Sequence, residues 1–520
     1  MADRLPPGFD RGIWRVAQAT PDALAVVEPG DRATTFGELV TRAHRVAHGL
    51  RERGLQPGDG VAVMAPNCVE SIIVYLAAIE SGLYFVPVNF HLVTEEVAYI
   101  LDNSATKVFI AADRYAPVAI AAADQVCLPG DRRIGLGAID GFAEFGTLER
   151  GRPDRFVVDP SPGDAMSYTS GSTGRPKGVR RPLGNGDVLA TYDLLAGLTL
   201  GPGAAAGGVH LVCGPLYFRG PFIPAVVALH LGHTLVLMDR WSADGMLAAV
   251  ERYGVVSTYL VPTMIHRLLR TPTQQRAGYD LSSLRYVLHS AAPCPVQDKR
   301  ELLDWLGPIV HETYGGTEGG GTYVSPQEWL ERPGTIGRAW PGAEIHVLDD
   351  EGRPCPPGVA GTVYIKPTSP EFGYHRDPVK TAAAKRGRLH TLGDIGYLDE
   401  AGYLFLQGRR SDLVISGGVN IYPAEVEAVL MRHPDVDDVA VFGIPQSEWG
   451  QQVHALIVPI AGVDDAALLA QLDEHCRAHL AGYKVPRSFE LRESLPRSSA
   501  GKINKPSLQA PYWVDQVSRS

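Results

Sequence analysis

The chain has 520 residues, too many for one hydrophobic core, and about two to four domains are expected. It is 45% hydrophobic and 20% charged, ordinary values for a globular protein. Its net charge of -10 and the lack of a long basic run exclude a protein that wraps nucleic acid.

The N-terminal MADRLPPGFDRGIW has no apolar segment of the secretory type. Thr34–Gly54 repeats apolar residues at helical spacing and ends in glycine, so it predicts a helix. GVAVMAP (60–66) follows as a strand, EEVAYILDNS as a helix and KVFIAAD as a strand. The most apolar stretches, Ser71–Val88 and Pro221–Met238, are interrupted by Glu80 and by His230 and His233. Each predicts a buried helix followed by a buried strand, and no integral membrane segment. Further strands are expected at 210–214, 255–261, 284–290 and 309–315. This alternation means an α/β fold with a mostly parallel sheet. Ligands bind at the carboxyl ends of such strands, so the loops after Tyr168, His289 and Tyr314 are expected to converge on one pocket.

Beyond about residue 336 the texture changes. AEIHVLDDEGRPCPPGVAGTVYIK alternates apolar and polar residues, and 396–409 reads as a hairpin, which together predict a β-rich subdomain. A smaller α+β module of about 110 residues follows. The expected division is 1–409 and 410–520, with the boundary near Gly408–Asp412. Six cysteines, at 68, 127, 213, 294, 355 and 476, show no CxxC spacing. They suggest neither a zinc site nor a redox pair, and fit small buried residues in a reducing cytoplasm.

The chemistry-bearing segments begin with SYTSGSTGRPKGV (167–179). It is rich in glycine and hydroxyls and carries one lysine, but it is not a Walker loop, in which Gly-Lys precedes Ser or Thr directly. Backbone N–H groups and hydroxyls suit an anion, and Lys177 can place a charge on a terminal phosphate. YGGTEGGG (314–321) offers Tyr314 to stack on a base, Thr317 for a phosphate and Glu318 as a hard oxygen ligand for Mg²⁺. Asp394 suits a ribose diol, Arg409 lies fifteen residues on, and Lys502 sits in PRSSAGKINK. Lysine is far scarcer than arginine here, yet Lys177, Lys484 and Lys502 all fall in these segments.

In order and spacing, from TTFGEL to GKINK, the chain closely resembles the adenylate-forming superfamily: acyl-CoA synthetases, nonribosomal adenylation domains and beetle luciferases. ISGGVNIYPAEVE (415–427) and YKVPR (483–487) resemble the acyl-CoA synthetase branch. The resemblance implies an enzyme using ATP, Mg²⁺ and coenzyme A. A carboxylic acid attacks the α-phosphate, pyrophosphate leaves, and the acyl-AMP passes to the CoA thiol. It assigns ATP and AMP to Thr169, Ser170, Gly171, Ser172, Thr173, Gly174, Lys177, Ala291, Ala292, Pro293, Tyr314, Gly315, Gly316, Asp394 and Arg409. Lys502, with Thr317 and Glu318, takes the catalytic roles; Gly417, Gly418 and Lys484 meet CoA; the small domain pivots near Ser411.

The acyl pocket is expected among Tyr217, Phe218, Arg219 and the side-chain-free Gly319, Gly320 and Gly321, which suits a bulky or long hydrophobic acid. The same glycines also fit a purely backbone role. GPLYFRGP (214–221) departs from the branch, where a histidine and small residues commonly follow PLY. Phe218 fits a substitute aromatic wall. Arg219 fits a pair with Glu318, or a grip on the acid that impairs adenylation. In the latter case a separate partner enzyme would supply the acyl-AMP and this chain would carry out only thioester formation. No acidic residue near this segment awaits a substrate amine, which argues against an amino acid. A nucleotide-binding regulator has little need of Lys502. A metal hydrolase lacks a ligand cluster, and a serine hydrolase lacks GxSxG. An oxidative luciferase stays open, as do oligomeric state and a carrier-protein acceptor.

Overall fold

The computed structural model describes residues 5–169, 176–184, 189, 192–368, 371–416, 419–446, 449–497 and 502–517. The alternating helices and strands expected from periodicity build two large sheets. The first has nine strands, and its centre is parallel: Val310–Gly315, Tyr286–His289, Ser257–Leu260, Val209–Val212, Thr234–Leu237 and Leu24–Val27, in that spatial order. Antiparallel strands close both edges. The second sheet has six parallel strands around Gly60–Met64 and ends at Asp164–Ala165.

Helices Phe36–Glu52, Val69–Glu80 and Arg219–His230 join the sheets in one core, where Val26 and Leu235 of the first meet the same cluster as Val61 and Ile110 of the second. The first helix starts with a reciprocal cap: Thr35 Oγ1 accepts from Glu38 N–H at 3.2 Å, and Glu38 Oε2 accepts from Thr35 N–H at 2.9 Å. The polar interruptions of the apolar stretches each find one partner inside the fold. Glu80 meets His44 at 2.8 Å, and His230 Nδ1 accepts from Ile13 N–H at 3.2 Å. No helix among the described residues is long and apolar enough to cross a membrane.

A third, antiparallel sheet pairs Ser167–Thr169 with Lys177–Arg180 and the latter with Gly373–Tyr374. Register sets Thr169 opposite Lys177, so both ends of the glycine-rich loop are fixed. The β-rich subdomain is a five-stranded sheet in which Leu389–Leu398 pairs antiparallel with Leu404–Arg409. A last five-stranded sheet carries helices Pro423–Leu430 and Asp465–His479 over a core of its own.

Candidate active site

A cavity of about 980 Å³ opens where the central parallel strands end. That is large enough for a cofactor-sized ligand. The three expected loops meet there: Tyr168 and Thr169, Ser290 and Ala291, and the run Gly315–Gly320 all line it. Ala291 is held at φ 78°, a left-handed backbone uncommon for a side chain with a Cβ. An added Cβ at Gly316 would lie 2.5 Å from Glu318 Oε2 and 2.7 Å from Leu392 Cδ2, so Glu318 would have to move.

Thr317 and Glu318 are buried beside the cavity. Glu318 Oε1 accepts from the Tyr374 hydroxyl at 2.8 Å, and Oε2 faces the Thr317 hydroxyl at 3.4 Å. Lys177 lies over the Tyr374 ring, 4.7 Å from its centroid. Tyr374 thus links Lys177 to Glu318, a connection that no local motif signals. Among the described residues no cluster of three metal-ligating side chains occurs. One buried carboxylate nevertheless fits Mg²⁺, which keeps waters and takes its other oxygens from phosphates.

Arg409 and Lys502 also line the cavity. Burial pushes the Lys502 ammonium below the ordinary lysine range, and Arg409 pushes the same way; Asp394 and Glu318 oppose them. Lys502 is therefore close to the group that includes Glu318. Asp394 accepts from the Tyr314 hydroxyl at 2.6 Å and from Arg409 Nε at 3.3 Å.

Several expected residues stand elsewhere. Tyr314 does not line the cavity; its ring packs against the Val347, Val363 and Leu404 cluster and its hydroxyl is held by Asp394. Asp394, Ala292 and Pro293 lie off the wall. Gly321 is paired in the sheet opposite Gly315, and an added Cβ would meet Tyr314 O at 2.0 Å, so backbone packing explains this glycine. Gly319 and Gly320 do line the cavity, with φ of 103° and 71°. Ser411 is exposed and donates to Asp412 at 2.9 Å. Lys484 is off the wall and pairs with Glu425 at 2.6 Å. Ser170, Gly171, Ser172, Thr173, Gly174, Gly417 and Gly418 lie outside the described residues.

The side of the cavity expected to hold the acyl group joins Tyr217, Phe218 and Arg219 to Phe222, Ile223, Val261 and Met264. Helix Tyr192–Thr199 adds Leu194, Leu195 and Leu198, an apolar wall that the sequence reading missed. Arg219 does not pair with Glu318, whose oxygens face Tyr374 and Thr317. Also unforeseen are Tyr75, Asp164 and Arg181, each from a different segment. Burial chiefly, with Arg219 nearby, lowers the Arg181 guanidinium to about 10.

A cavity of this size, lined by Lys177, the buried Glu318 and Lys502 beside an apolar wall, is the arrangement expected of an adenylate-forming enzyme. Residues 13–375 match the model of the AMP-binding enzyme family and 425–502 that of the AMP-binding enzyme C-terminal domain. The chain belongs to this family, in its acyl-CoA synthetase branch, and is an acid–thiol ligase. It is 34% identical to a feruloyl-CoA synthase from Amycolatopsis sp, covering 96% of this chain and 99% of that one. It is 32% identical to the fatty acid–[acyl-carrier-protein] ligase ScoC of Streptomyces coeruleorubidus, covering 96% of each. Its fold superposes with a TM-score of 0.82 on the o-succinylbenzoate CoA synthetase MenE of Bacillus subtilis in complex with the acyl-adenylate OSB-AMP, at 28% identity, covering 97% of this chain and 98% of that one. These relatives do not favour the thioesterification-only reading.

Proposed function

We propose that this enzyme activates a bulky carboxylic acid with a largely hydrophobic body and transfers the acyl group to coenzyme A. The observation that carries the reading is the continuity of one cavity from Lys177, Thr317, Glu318 and Lys502 to the apolar walls of Leu194, Leu195, Leu198, Phe222 and Met264. The acid's carboxylate would face Lys502 and its body the apolar walls.

Glu318 would hold Mg²⁺, which draws charge from the phosphates. Lys177 would meet the terminal phosphates. Lys502 would neutralise charge gathering on the carboxylate and α-phosphate as their bond forms, acting as a preorganised cation in a water-poor site. Asp394 keeps lone pairs for a ribose diol beyond those used by Tyr314 and Arg409.

The present placement of Lys502 suits the first half-reaction. For the second, we assign the mobile unit to 410–520 and the pivot to Ser411, an exposed residue at the boundary between the two units. Lys502 would leave, and the segment around Gly417, Gly418 and Lys484 would guide the thiol. A cytoplasmic location is supported by the six unbridged cysteines.

The test is pyrophosphate exchange with a panel of aromatic, long-chain and short acids, followed by thioester formation with CoA. Bulky acids should support both steps. A preference for acetate would defeat the assignment of acid size, and exchange without any CoA thioester would defeat the acceptor.

A further inference from the structure

The acyl end of the cavity contains charge that adenylation does not use. Arg219 opens helix Arg219–His230, Arg181 follows strand Lys177–Arg180, and Asp164 lies on an edge strand; all three line the cavity. Tyr75 and Tyr192 join them, their hydroxyls 2.6 Å apart. These groups are mutual neighbours: the charges of Arg219 and Asp164 both act on Tyr75, Tyr192 and Arg181. Lys502 senses a different set, namely Arg409, Asp394 and Glu318. The cavity therefore has two electrically distinct ends. Arg181 stands between them, since it also senses Glu318 and donates to the Thr317 carbonyl.

Among the described residues no carboxylate lies within ion-pair distance of Arg219 or Arg181; Arg181 has the Thr317 carbonyl, which leaves Arg219 as the guanidinium in want of an acceptor. Asp164 lines the same end, acts on the Arg181 guanidinium, and its Oδ1 accepts from Ala165 N–H at 2.7 Å. A guanidinium stays charged at any working pH, and in a cavity it needs an acceptor. The tyrosine pair adds a donor, because only one of its two hydroxyl protons is used between the rings. Phe218 supplies no side-chain cap to the helix that Arg219 begins, so that helix end also favours negative charge. Arg219, the spare tyrosine proton and the helix end each favour an anionic acceptor, and a planar carboxylate matches the guanidinium fork.

We propose that the acid activated here is dianionic: it carries a second carboxylate, remote from the one adenylated, held by Arg219 and the Tyr75–Tyr192 pair. This rests on the ligase reading above and narrows its substrate class to acids with an apolar body and two charged ends.

The experiment compares dicarboxylic acids of graded length, aromatic and aliphatic, with their distal monomethyl esters and with monoacids of equal length. Pyrophosphate release is measured for the native enzyme, Arg219→Gln and Arg219→Lys. The native enzyme should favour at least one diacid over its ester by about 100-fold in kcat/KM, as a site built around a polar partner rejects an analogue that lacks it. Arg219→Gln should collapse that ratio towards unity, mainly through KM for the diacid. Arg219→Lys should restore part of it, because a point charge replaces the fork. Turnover of monoacids or esters with no diacid preferred would overturn the second anionic site and leave the ligase reading standing. Absence of turnover with every acid would overturn both. The native diacid-to-ester ratio needs no variant, so a variant that fails to fold does not blunt the test.

Discussion

One strand, Val310–Gly315, carries charge in two ways. In its middle, Glu312 is sealed inside the layers and meets Lys299 at 2.5 Å, with His289 at 3.6 Å and the Trp329 ring 4.8 Å from the ammonium. Just past its end, Glu318 opens onto the cavity with Lys502 and Arg409. The first group is closed: its partners all come from the chain. On the proposed reading, the second group would be completed by phosphates, a carboxylate and Mg²⁺. The difference teaches where this fold stores charge for itself and where it stores charge for a ligand.

Breaking the closed group should cost the most. Lys299→Ala leaves Glu312 buried without its cation, and a loss of about 3–5 kcal/mol in unfolding free energy is expected from urea titration. The double change Lys299→Met with Glu312→Leu should recover most of that loss, since an apolar pair of similar volume avoids charge burial altogether. If the single and double variants were equally unstable, packing and not charge would be the cause.

At the open end the expected losses move from stability to rate. Lys502→Ala should keep the native melting temperature within a few degrees and lower pyrophosphate exchange by about 10²–10³-fold, the range for losing one preorganised transition-state donor. Thioester formation from a preformed acyl-AMP should fall much less. Because burial and Arg409 lower the Lys502 ammonium, its charge is lost at a lower pH than that of a free lysine. The alkaline limb of the exchange reaction should therefore begin below the ordinary lysine range, and Lys502→Arg should move it upward if any exchange survives.

A smaller effect distinguishes buried neutral groups from both. His210 and His230 are pushed down to about 3 by burial. The unfolded chain then takes up protons near pH 6.5 that the folded chain refuses. Their contribution is full above pH 6.5 and is lost as pH falls towards about 3. Each should cost about 2 kcal/mol between pH 7 and pH 5. Urea unfolding at the two pH values reads the sum, and His210→Gln should make the slope shallower if the hydrogen bond to Ser257 is retained.

The same contrast explains what was legible in the sequence. Period and punctuation placed the central strands, because runs such as VVSTYLV are buried on both faces and bounded by breakers. Local motifs likewise brought out Lys177, Thr317, Glu318, Arg409 and Lys502. The acyl end was not legible in this way. Tyr75 comes from a core helix, Asp164 from a two-residue edge strand, Arg181 from the end of a hairpin and Tyr192 from a helix beyond it. No spacing along the chain links them, and each alone looks like an ordinary core or surface residue. Only Arg219 stood out, as a permanent charge within an apolar stretch. The absence of an acidic residue near GPLYFRGPF was true of the local sequence but not of the pocket, because Asp164 arrives from the other large sheet.

The smallest expected effect concerns Lys484. Its ammonium is clamped by both oxygens of Glu425, at 2.6 and 2.8 Å, at the surface of the C-terminal sheet. An exposed pair of this kind contributes little to folding, so Lys484→Ala should change stability by less than about 1 kcal/mol. Its use, if it meets the CoA phosphates, requires exchange of one anionic partner for another. That exchange makes a clear signature: KM for CoA should rise several-fold and grow with added salt, while pyrophosphate exchange stays at the native rate. Glu425→Gln should have the opposite sign, freeing the ammonium and lowering KM for CoA. If both variants left KM for CoA untouched, Lys484 would belong with Lys299, as a charge the fold keeps for itself.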